Sequence, residues 1–204
     1  MINHHSVLEY WLADAAKSAE HANQQKKLWY RSSKAIDDEI REQFADLHAE
    51  ATNGNLNSWR EEPESTLALV IILDQFSRHL YRSEPSAFAQ DNLALEIAQN
   101  CPKPESLPFI GQVFLLHPFE HSERLDIQEQ SVVKFQHLAN RADTEWKPLM
   151  RNFRDHAIEH HNIVARFGRF PHRNAILGRE SSEEELQFLQ DSGKTFGQNS
   201  RSPA

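Results

Sequence analysis

The sequence predicts an all-α protein, and three observations support that class. Glycine is scarce, at six of 204 residues, and the helix-forming residues Ala, Leu, Glu and Gln are plentiful. No succession of alternating β-branched runs indicates a sheet. Apolar residues instead recur at helical spacing behind capping signals. The length suits one domain, which we place at residues 1–191, and we expect a disordered tail at 192–204.

The first two helices follow from caps and apolar stripes. Capping-box spacing from Ser6 and the stripe behind it predict a helix over about 6–18, after a mobile His4-His5 start. Ser32 or Ser33 can cap a second helix that runs to about residue 52 with one apolar face. Between them, the polar and aromatic residues 21–30 are expected to join the two helices.

The third helix should be the most buried of the fold. Pro63 suits its first position, and it extends to about residue 82. It is apolar nearly all round over 67–73, which is typical of a helix enclosed by others. Asp74 and Arg78 follow, four residues apart and able to pair on one face. That pair is either a surface ion pair where the helix leaves the core or the wall of a polar pocket.

The remaining helices are predicted from the same signals. Two are placed at 86–99 and at 105–116, and the second of these must end near His117-Pro118. The next runs from a cap at Ser122 to about 141, and another from Asp143 or Thr144 to 167. A final short helix follows a cap at Ser181 or Ser182. Short loops between them imply antiparallel helical hairpins stacked side by side. No repeat of fixed period is visible.

Charge and composition exclude several functions. A net charge of −8 argues against broad binding of nucleic acid or of anionic membranes. The longest apolar run is far too short to span a bilayer, and the first sixteen residues carry no secretory signal. Cys101 is the single cysteine, so no internal disulfide or paired-cysteine metal site can form, and we expect it to be a small buried residue. These features predict a cytoplasmic location.

Three stretches stand apart from the helical pattern, and they resemble a known family. They are LDQFSRHLYR (73–82), HPFEHSERLDIQEQ (117–130) and FGRFPHRNAILGR (167–179), hereafter the first, second and third motifs. In this order they resemble the bacterial family called domain of unknown function 924, over about residues 6–190. Ser77-Arg78-His79 departs from the Pro-Arg-Asn common in that family. The resemblance implies a fold like that of tetratricopeptide-repeat proteins, a right-handed superhelix of antiparallel helix pairs, and it implies no activity.

The third motif lies in an arginine-rich segment of an acidic chain. Between Arg151 and Arg179 there are six arginines and only two acids. Concentrated guanidinium groups cost electrostatic free energy unless negative charge lies among them. That charge is either internal, with Asp74, Glu120, Glu123 and Asp126 as the available acids, or external, from a bound phosphate or carboxylate. Both sources can act together.

We therefore expect a polar pocket that binds a small anionic molecule or an acidic peptide end. In this hypothesis Arg169 and Arg173 clamp the anion, His172 and Asn174 orient it, and Asp74 with Glu123 hold the arginines. The predicted ligand-binding residues are Asp74, Arg78, Arg82, His121, Glu123, Arg166, Arg169, His172, Arg173 and Asn174.

Two other functions remain open. One is a metal-assisted or general acid–base hydrolase, with catalytic candidates His121, Glu123, His160 and His172. His156 and His160 have the i,i+4 spacing of a zinc-binding helix, but HAIEH is not HExxH, and we assign no metal and no cofactor. The other is a protein-interaction module whose charged motifs are purely structural. The oligomeric state is not predicted.

Overall fold

Ten α-helices and no strand make up the part of the chain that the computed structural model describes, residues 3–31 and 33–192. The helices are α1 (His4–Leu12), α2 (Ala19–Tyr30), α3 (Lys34–Thr52), α4 (Pro63–Val70), α5 (Ser77–Leu80), α6 (Asp91–Gln99), α7 (Phe109–Glu120), α8 (Leu125–Arg141), α9 (Lys147–Phe167) and α10 (Glu183–Ser192). The predicted all-α class is confirmed. Of the expected tail, Ser192 ends α10 and 193–204 lie outside the described residues.

The predicted third helix lies at the centre of the fold. α4 continues through a π-helical segment, Ile71–Phe76, into α5, and every residue from Leu67 to Phe76 is buried. α1, α6 and α7 pack around α4, and α3 packs against the π-helical segment. This burial is what the all-round apolar sequence predicts. The π-helical segment itself was not predicted, because an added residue in a helical turn leaves no local sequence signal.

Aromatic side chains join the N-terminal helices to this centre. The Trp29 indole N–H donates to the Trp11 carbonyl oxygen at 2.7 Å. The Phe114 ring of α7 lies 4.7 Å from the Trp29 ring and 5.6 Å from the Trp11 ring, both edge to face. α2 is thereby fixed over α7, which brings the end of α2 to the second motif.

The N-terminal predictions need correction. α1 begins at His4, not Ser6, because the Asn3 side chain accepts the Ser6 N–H at 3.2 Å and Ser6 returns a contact to the Asn3 backbone. It ends at Leu12 rather than near 18, since Ala13, the first residue of a short 3₁₀ helix, takes a positive φ of +43°. α2 was missed altogether: tertiary packing of Trp29 stabilises a helix whose polar sequence carries little periodicity.

The predicted stop at His117-Pro118 is also wrong, because α7 runs through Pro118 to Glu120. Proline removes one helical hydrogen bond, the one to the Phe114 carbonyl oxygen. The helix continues because its last turn is buried against α8 and α9. This extra turn carries His117, Glu120 and His121 towards α9.

Other boundaries shift by a few residues. α6 begins at Asp91 and not at 86, and α7 begins at Phe109 and not at 105. α8 begins at Leu125 after Arg124, and not directly after a cap at Ser122. α9 begins at Lys147 and not at Asp143 or Thr144. Of the two predicted caps for the last helix, Ser182 is the one used: its hydroxyl accepts the Glu185 N–H and Glu185 accepts the Ser182 N–H. Cys101 is buried, as expected. None of the helices within the described ranges is apolar over enough length to cross a bilayer.

Candidate functional site

A cavity of about 480 Å³ lies where the three motifs meet. The first motif contributes Gln75, Arg78, His79 and Arg82, the second His117, Glu120 and His121, and the third Phe170, His172 and Arg173. α2, α9 and one loop complete the wall with Lys26, Trp29, Tyr30, Arg31, Phe88, Asn152, Phe153, His156, Glu159 and His160. Six of the lining side chains are imidazoles, which can both donate and accept hydrogen bonds.

Asp74 and His121 form a polar pair at the cavity. Asp74 is fully buried at the π-helical segment, and His121 Nδ1–H donates to its Oδ1 at 2.7 Å. Gln75 Nε2 donates to the other carboxylate oxygen at 2.5 Å. Arg78 NH1 lies 3.2 Å from Oδ1. Asp74 does not line the cavity itself, and it acts on the cavity through His121 and Arg78.

The protonation of this pair is set by burial and by Arg78. Burial first, and then the Arg78 guanidinium, lower the pKa of His121 to about 4, although the Asp74 carboxylate opposes this. Burial opposes ionisation of Asp74, but Arg78 and His121 hold the pKa of that carboxyl well below its usual range. An ionised carboxylate can only accept, so the proton of the neutral imidazole lies on Nδ1. Nε2, across the ring, makes no hydrogen bond with the part of the chain that is described.

Asp91 joins the first motif to the third. Its Oδ1 lies 3.0 Å from Arg78 NH2, and its Oδ2 accepts from Arg173 NH1 at 3.0 Å. Arg173 NH2 donates to the His121 carbonyl oxygen at 3.0 Å, and the guanidinium packs between the rings of Phe88 and Phe170. Arg78 and Arg173 are therefore both bound by the Asp91 carboxylate, although Asp91 belongs to neither motif. Sequence reasoning missed Asp91, which lies in no motif.

Glu120 and His160 form a second acid–histidine pair. His160 Nδ1 lies 2.9 Å from Glu120 Oε1 and 2.9 Å from the His156 carbonyl oxygen, so this nitrogen carries the proton. Burial opposes ionisation of Glu120, but His160 beside it lowers the pKa of that carboxyl to about 2. The His160 and His121 rings are 6.5 Å apart. His121 and His160, each bound to a carboxylate, therefore both line the cavity.

Two further histidines, His117 and His172, line the cavity. His117 Nδ1–H donates to the Val113 carbonyl oxygen at 2.7 Å, which leaves Nε2 to accept from the Tyr30 hydroxyl at 3.3 Å. The Tyr30 hydroxyl is the donor in this contact. Burial and then Arg173 lower the pKa of His172 well below its usual value. Neutral imidazoles serve as proton acceptors at physiological pH.

At one end of the cavity, Asp37 of α3 holds Arg82 and His79. Arg82 donates to both Asp37 oxygens, at 2.6 and 2.7 Å, and His79 Nδ1–H donates to Oδ1 at 2.8 Å. Burial opposes ionisation of Asp37, but hydrogen bonds from Arg82 and His79 lower the pKa of this carboxyl to about 2. Arg82 is thus committed to an internal carboxylate, and Asp37 was not anticipated.

The remaining predicted residues lie outside the cavity wall. Glu123 accepts from Arg179 and from the Phe170 N–H, and the Asn174 amide donates to Ser181. Arg166 pairs with Glu184, and Arg169 donates to Glu185 at 2.7 and 2.8 Å. The clamp of Arg169 with Arg173 is therefore not assembled: Arg169 faces α10, and only Arg173 lines the cavity. The structure brings Arg78, Arg82, His121, His160, His172 and Arg173 together there.

Lys26 and Arg31 of α2 are cavity residues that sequence reasoning missed. Lys26 Nζ donates to the Asn152 side-chain oxygen at 3.4 Å and lies 5.8 Å from the centre of the Phe153 ring. Burial lowers the pKa of Lys26. Neither cation is ion-paired with a carboxylate anywhere in the described ranges. Likewise, residues 3–31 and 33–192 contain no group of three His, Cys, Asp or Glu side chains arranged to hold a metal ion.

Comparison with known proteins places these motifs in a family. A family model described as a bacterial protein of unknown function, DUF924, matches residues 7–193. The chain is also similar to the structure of a protein of unknown function from Agrobacterium tumefaciens, with 34% sequence identity and a TM-score of 0.72. The alignment covers 87% of this chain and 99% of that one. A search of curated proteins gave no match.

Proposed function

The chain belongs to the bacterial DUF924 family, and we propose that it binds a small anionic molecule in the cavity where the three motifs meet. The observation that supports the proposal most directly is the pairing pattern of the five lining cations. Arg78, Arg82 and Arg173 each have an internal carboxylate. Lys26 and Arg31 have none among the described residues. An anion bound in the cavity would give these two cations a counter-ion.

The electrostatics of Lys26 favour this arrangement. Partial burial of an ammonium group without a counter-ion costs free energy, and the lowered pKa of Lys26 reports that cost. A phosphate or carboxylate at the cavity restores the lost solvation through charge-assisted hydrogen bonds. In the proposal, Lys26 and Arg31 therefore take the role that the sequence assigned to Arg169 and Arg173.

The rest of the cavity suits the body of a small organic molecule. Tyr30, Phe88, Phe153 and Phe170 give apolar contact, and the neutral imidazoles of His121 and His172 give directional hydrogen bonds. A volume of about 480 Å³ lies in the range of ligand sites for small molecules. An apolar wall with a few convergent polar groups is the usual composition of such sites.

The cytoplasmic location and the tetratricopeptide-like superhelix belong to the same proposal. α8 and α9 form a long helical hairpin, and α8 also packs along α7, which supports side-by-side stacking of helix pairs. The superhelix can be tested by superposing each helical hairpin on the next one along the chain. A right-handed superhelix requires every such superposition to give a similar rotation of the same hand.

A thermal-shift titration tests the anion site. The ligands are inorganic phosphate, a hexose phosphate and four- and five-carbon dicarboxylates, applied to wild type, to a Lys26→Met and Arg31→Met double variant, and to Lys27→Met. Lys27 is an exposed lysine beside Lys26 and serves as the matched control. We expect at least one anion to stabilise wild type and Lys27→Met, by about 2.7 kcal/mol at a hundred times Kd. The double variant should lose that stabilisation. No stabilisation of wild type by any of the anions, or the same stabilisation of the double variant, contradicts the proposal.

A further inference from the structure

We propose that His121 is a general base, oriented by Asp74, that takes a proton from a water or a substrate hydroxyl held in the cavity. This proposal rests on the cavity being the ligand site of the proposed function, and it adds an activity to that site. Its basis is the geometry of one imidazole whose two nitrogens have different surroundings.

The Nδ1 side of His121 is fixed by the protein. Nδ1–H donates to Asp74 Oδ1 at 2.7 Å, and the carboxylate is itself held by Gln75 and Arg78. Asp74 is fully buried, so it cannot rotate away to solvent without breaking these contacts. A buried carboxylate behind a histidine fixes the tautomer and stabilises the imidazolium that forms when Nε2 takes a proton.

The Nε2 side of His121 is open to the cavity. The residue lines the cavity, and Nε2 makes no hydrogen bond with the residues that the structure describes. In the nearest imidazole, that of His117, both nitrogens are already hydrogen-bonded, one to the Val113 carbonyl oxygen and the other to the Tyr30 hydroxyl. His121 therefore offers a lone pair to a ligand where His117 does not.

The backbone around the pair departs from a regular helix on both sides. Asp74 lies in the π-helical segment, and His121 follows a helix end that contains Pro118. π-helical turns occur frequently at functional sites, because they re-aim side chains at a cost in helix stability. The buried ion pair of Asp74 with Arg78 is also a weak source of stability compared with apolar packing. These two costs favour a functional role over a purely structural one.

The chemical step moves one proton. The O–H bond of the water or hydroxyl breaks, its electron pair stays on oxygen, and the proton joins Nε2 of His121. Asp74 remains ionised and offsets the positive charge of the imidazolium. The activated oxygen can then attack an electrophilic centre, and the imidazolium can return its proton to the leaving group.

Hydrolysis of p-nitrophenyl acetate provides the test, because this neutral ester needs no anion site. Water loses a proton to Nε2, its oxygen attacks the carbonyl carbon, and the ester C–O bond breaks to give acetic acid and p-nitrophenolate. The proton on Nε2 then passes to solvent, which restores the base. We expect His121→Gln to lower the rate by about 10²-fold. His137→Gln, which changes an exposed histidine on α8, should leave the rate unchanged. Equal rates for folded wild type and His121→Gln would overturn the proposal.

The role of Asp74 is separated from a structural one by spectroscopy. Nitrogen–proton correlation spectra should show the Nδ1–H tautomer of His121 in wild type and its loss in Asp74→Asn, together with a fall in esterolysis. An unchanged tautomer and rate in Asp74→Asn contradict the positioning role. If these variants do not fold, the rate at which histidines of wild type are carbethoxylated at pH 5 tests the proposal instead. His121 should be modified faster than His137, and an unmodified His121 refutes the proposal.

The two proposals fail independently. Suppose that the Lys26→Met and Arg31→Met double variant still hydrolyses the neutral ester but that no anion stabilises wild type. The general-base proposal is then supported and the anion-site proposal is contradicted. If anions stabilise wild type but His121→Gln hydrolyses the ester at the wild-type rate, the anion-site proposal is supported and the general-base proposal is contradicted.

Discussion

Glu123 and Arg179, 56 residues apart, form a two-pronged ion pair, with Arg179 NH1 and NH2 2.7 and 2.9 Å from the two carboxylate oxygens. The same carboxylate accepts the Phe170 N–H at 2.8 Å. Arg179 Nε also donates to the Asn174 side-chain oxygen at 3.0 Å. One acid of the second motif thereby holds the beginning and the end of the third motif, which places Phe170, His172 and Arg173 at the cavity.

Replacing Glu123 by glutamine should loosen this attachment. The amide has no charge and lacks the second acceptor oxygen, so it cannot keep both hydrogen bonds from Arg179. We expect the free energy of unfolding to fall by about 1–3 kcal/mol in urea titrations. Glu129→Gln changes an exposed glutamate of α8 and should stay within about 0.5 kcal/mol of wild type. Equal stability of the two variants would show that the third motif does not depend on Glu123.

Asp91 is the carboxylate on which two buried guanidinium groups converge. Asp91→Asn removes its charge and leaves Arg78 and Arg173 short of a counter-ion, so we expect a loss of about 3 kcal/mol in urea titrations. Asp126→Asn breaks the exposed pair with Arg124 and should cost less than about 1 kcal/mol. A loss for Asp91→Asn as small as that for Asp126→Asn contradicts the bridging role.

Local sequence signals predicted the helices whose stability is local. The Ser33 start and the Ser182 cap, the Pro63 start and the continuous apolar run through Leu73 are all readable in short windows. α2 and the turn of α7 beyond Pro118 were not readable, because packing against other helices stabilises both. A proline in a sequence weakens a helix prediction but does not measure the burial that outweighs it.

The composition of the cavity was predicted only in outline. The three motifs drew attention to His121, His172 and Arg173, which all line it. Which acid holds which arginine was not predictable, because Asp37 and Asp91 lie far along the chain from Arg82 and Arg173 and belong to no motif. The arginine-rich segment misled for the same reason: Arg166 and Arg169 find their acids on α10, away from the cavity.

Acid should destabilise the protein before its carboxylates titrate. The pKa of His121 is lowered by burial and Arg78 to about 4, against about 6.5 in the unfolded chain. Between these values the unfolded chain binds more protons, so the free energy of unfolding falls as the pH falls from 6.5 to 4. One such histidine contributes a slope of up to about 1.4 kcal/mol per pH unit. His172, also lowered by burial first, adds to it.

Urea titrations at pH 7.5, 6.5, 5.5 and 4.5 measure this slope. In His121→Gln the slope should be smaller than in wild type over the lower three values, and in His137→Gln it should be unchanged. Identical slopes for wild type and His121→Gln would mean that His121 titrates alike in the folded and unfolded chains.

Gly168 caps the end of α9 and is the second residue of the third motif, at a left-handed φ of +71°. Its N–H donates to the Val164 carbonyl oxygen at 2.7 Å, and an added Cβ would meet no atom within 4 Å. Any cost of Gly168→Ala is therefore backbone strain alone, about 1–2 kcal/mol for an L-residue in this region. Asparagine tolerates the left-handed region better, so Gly168→Asn should lose less stability than Gly168→Ala in thermal unfolding. Equal losses would indicate that the motif rearranges around residue 168 when a side chain is added.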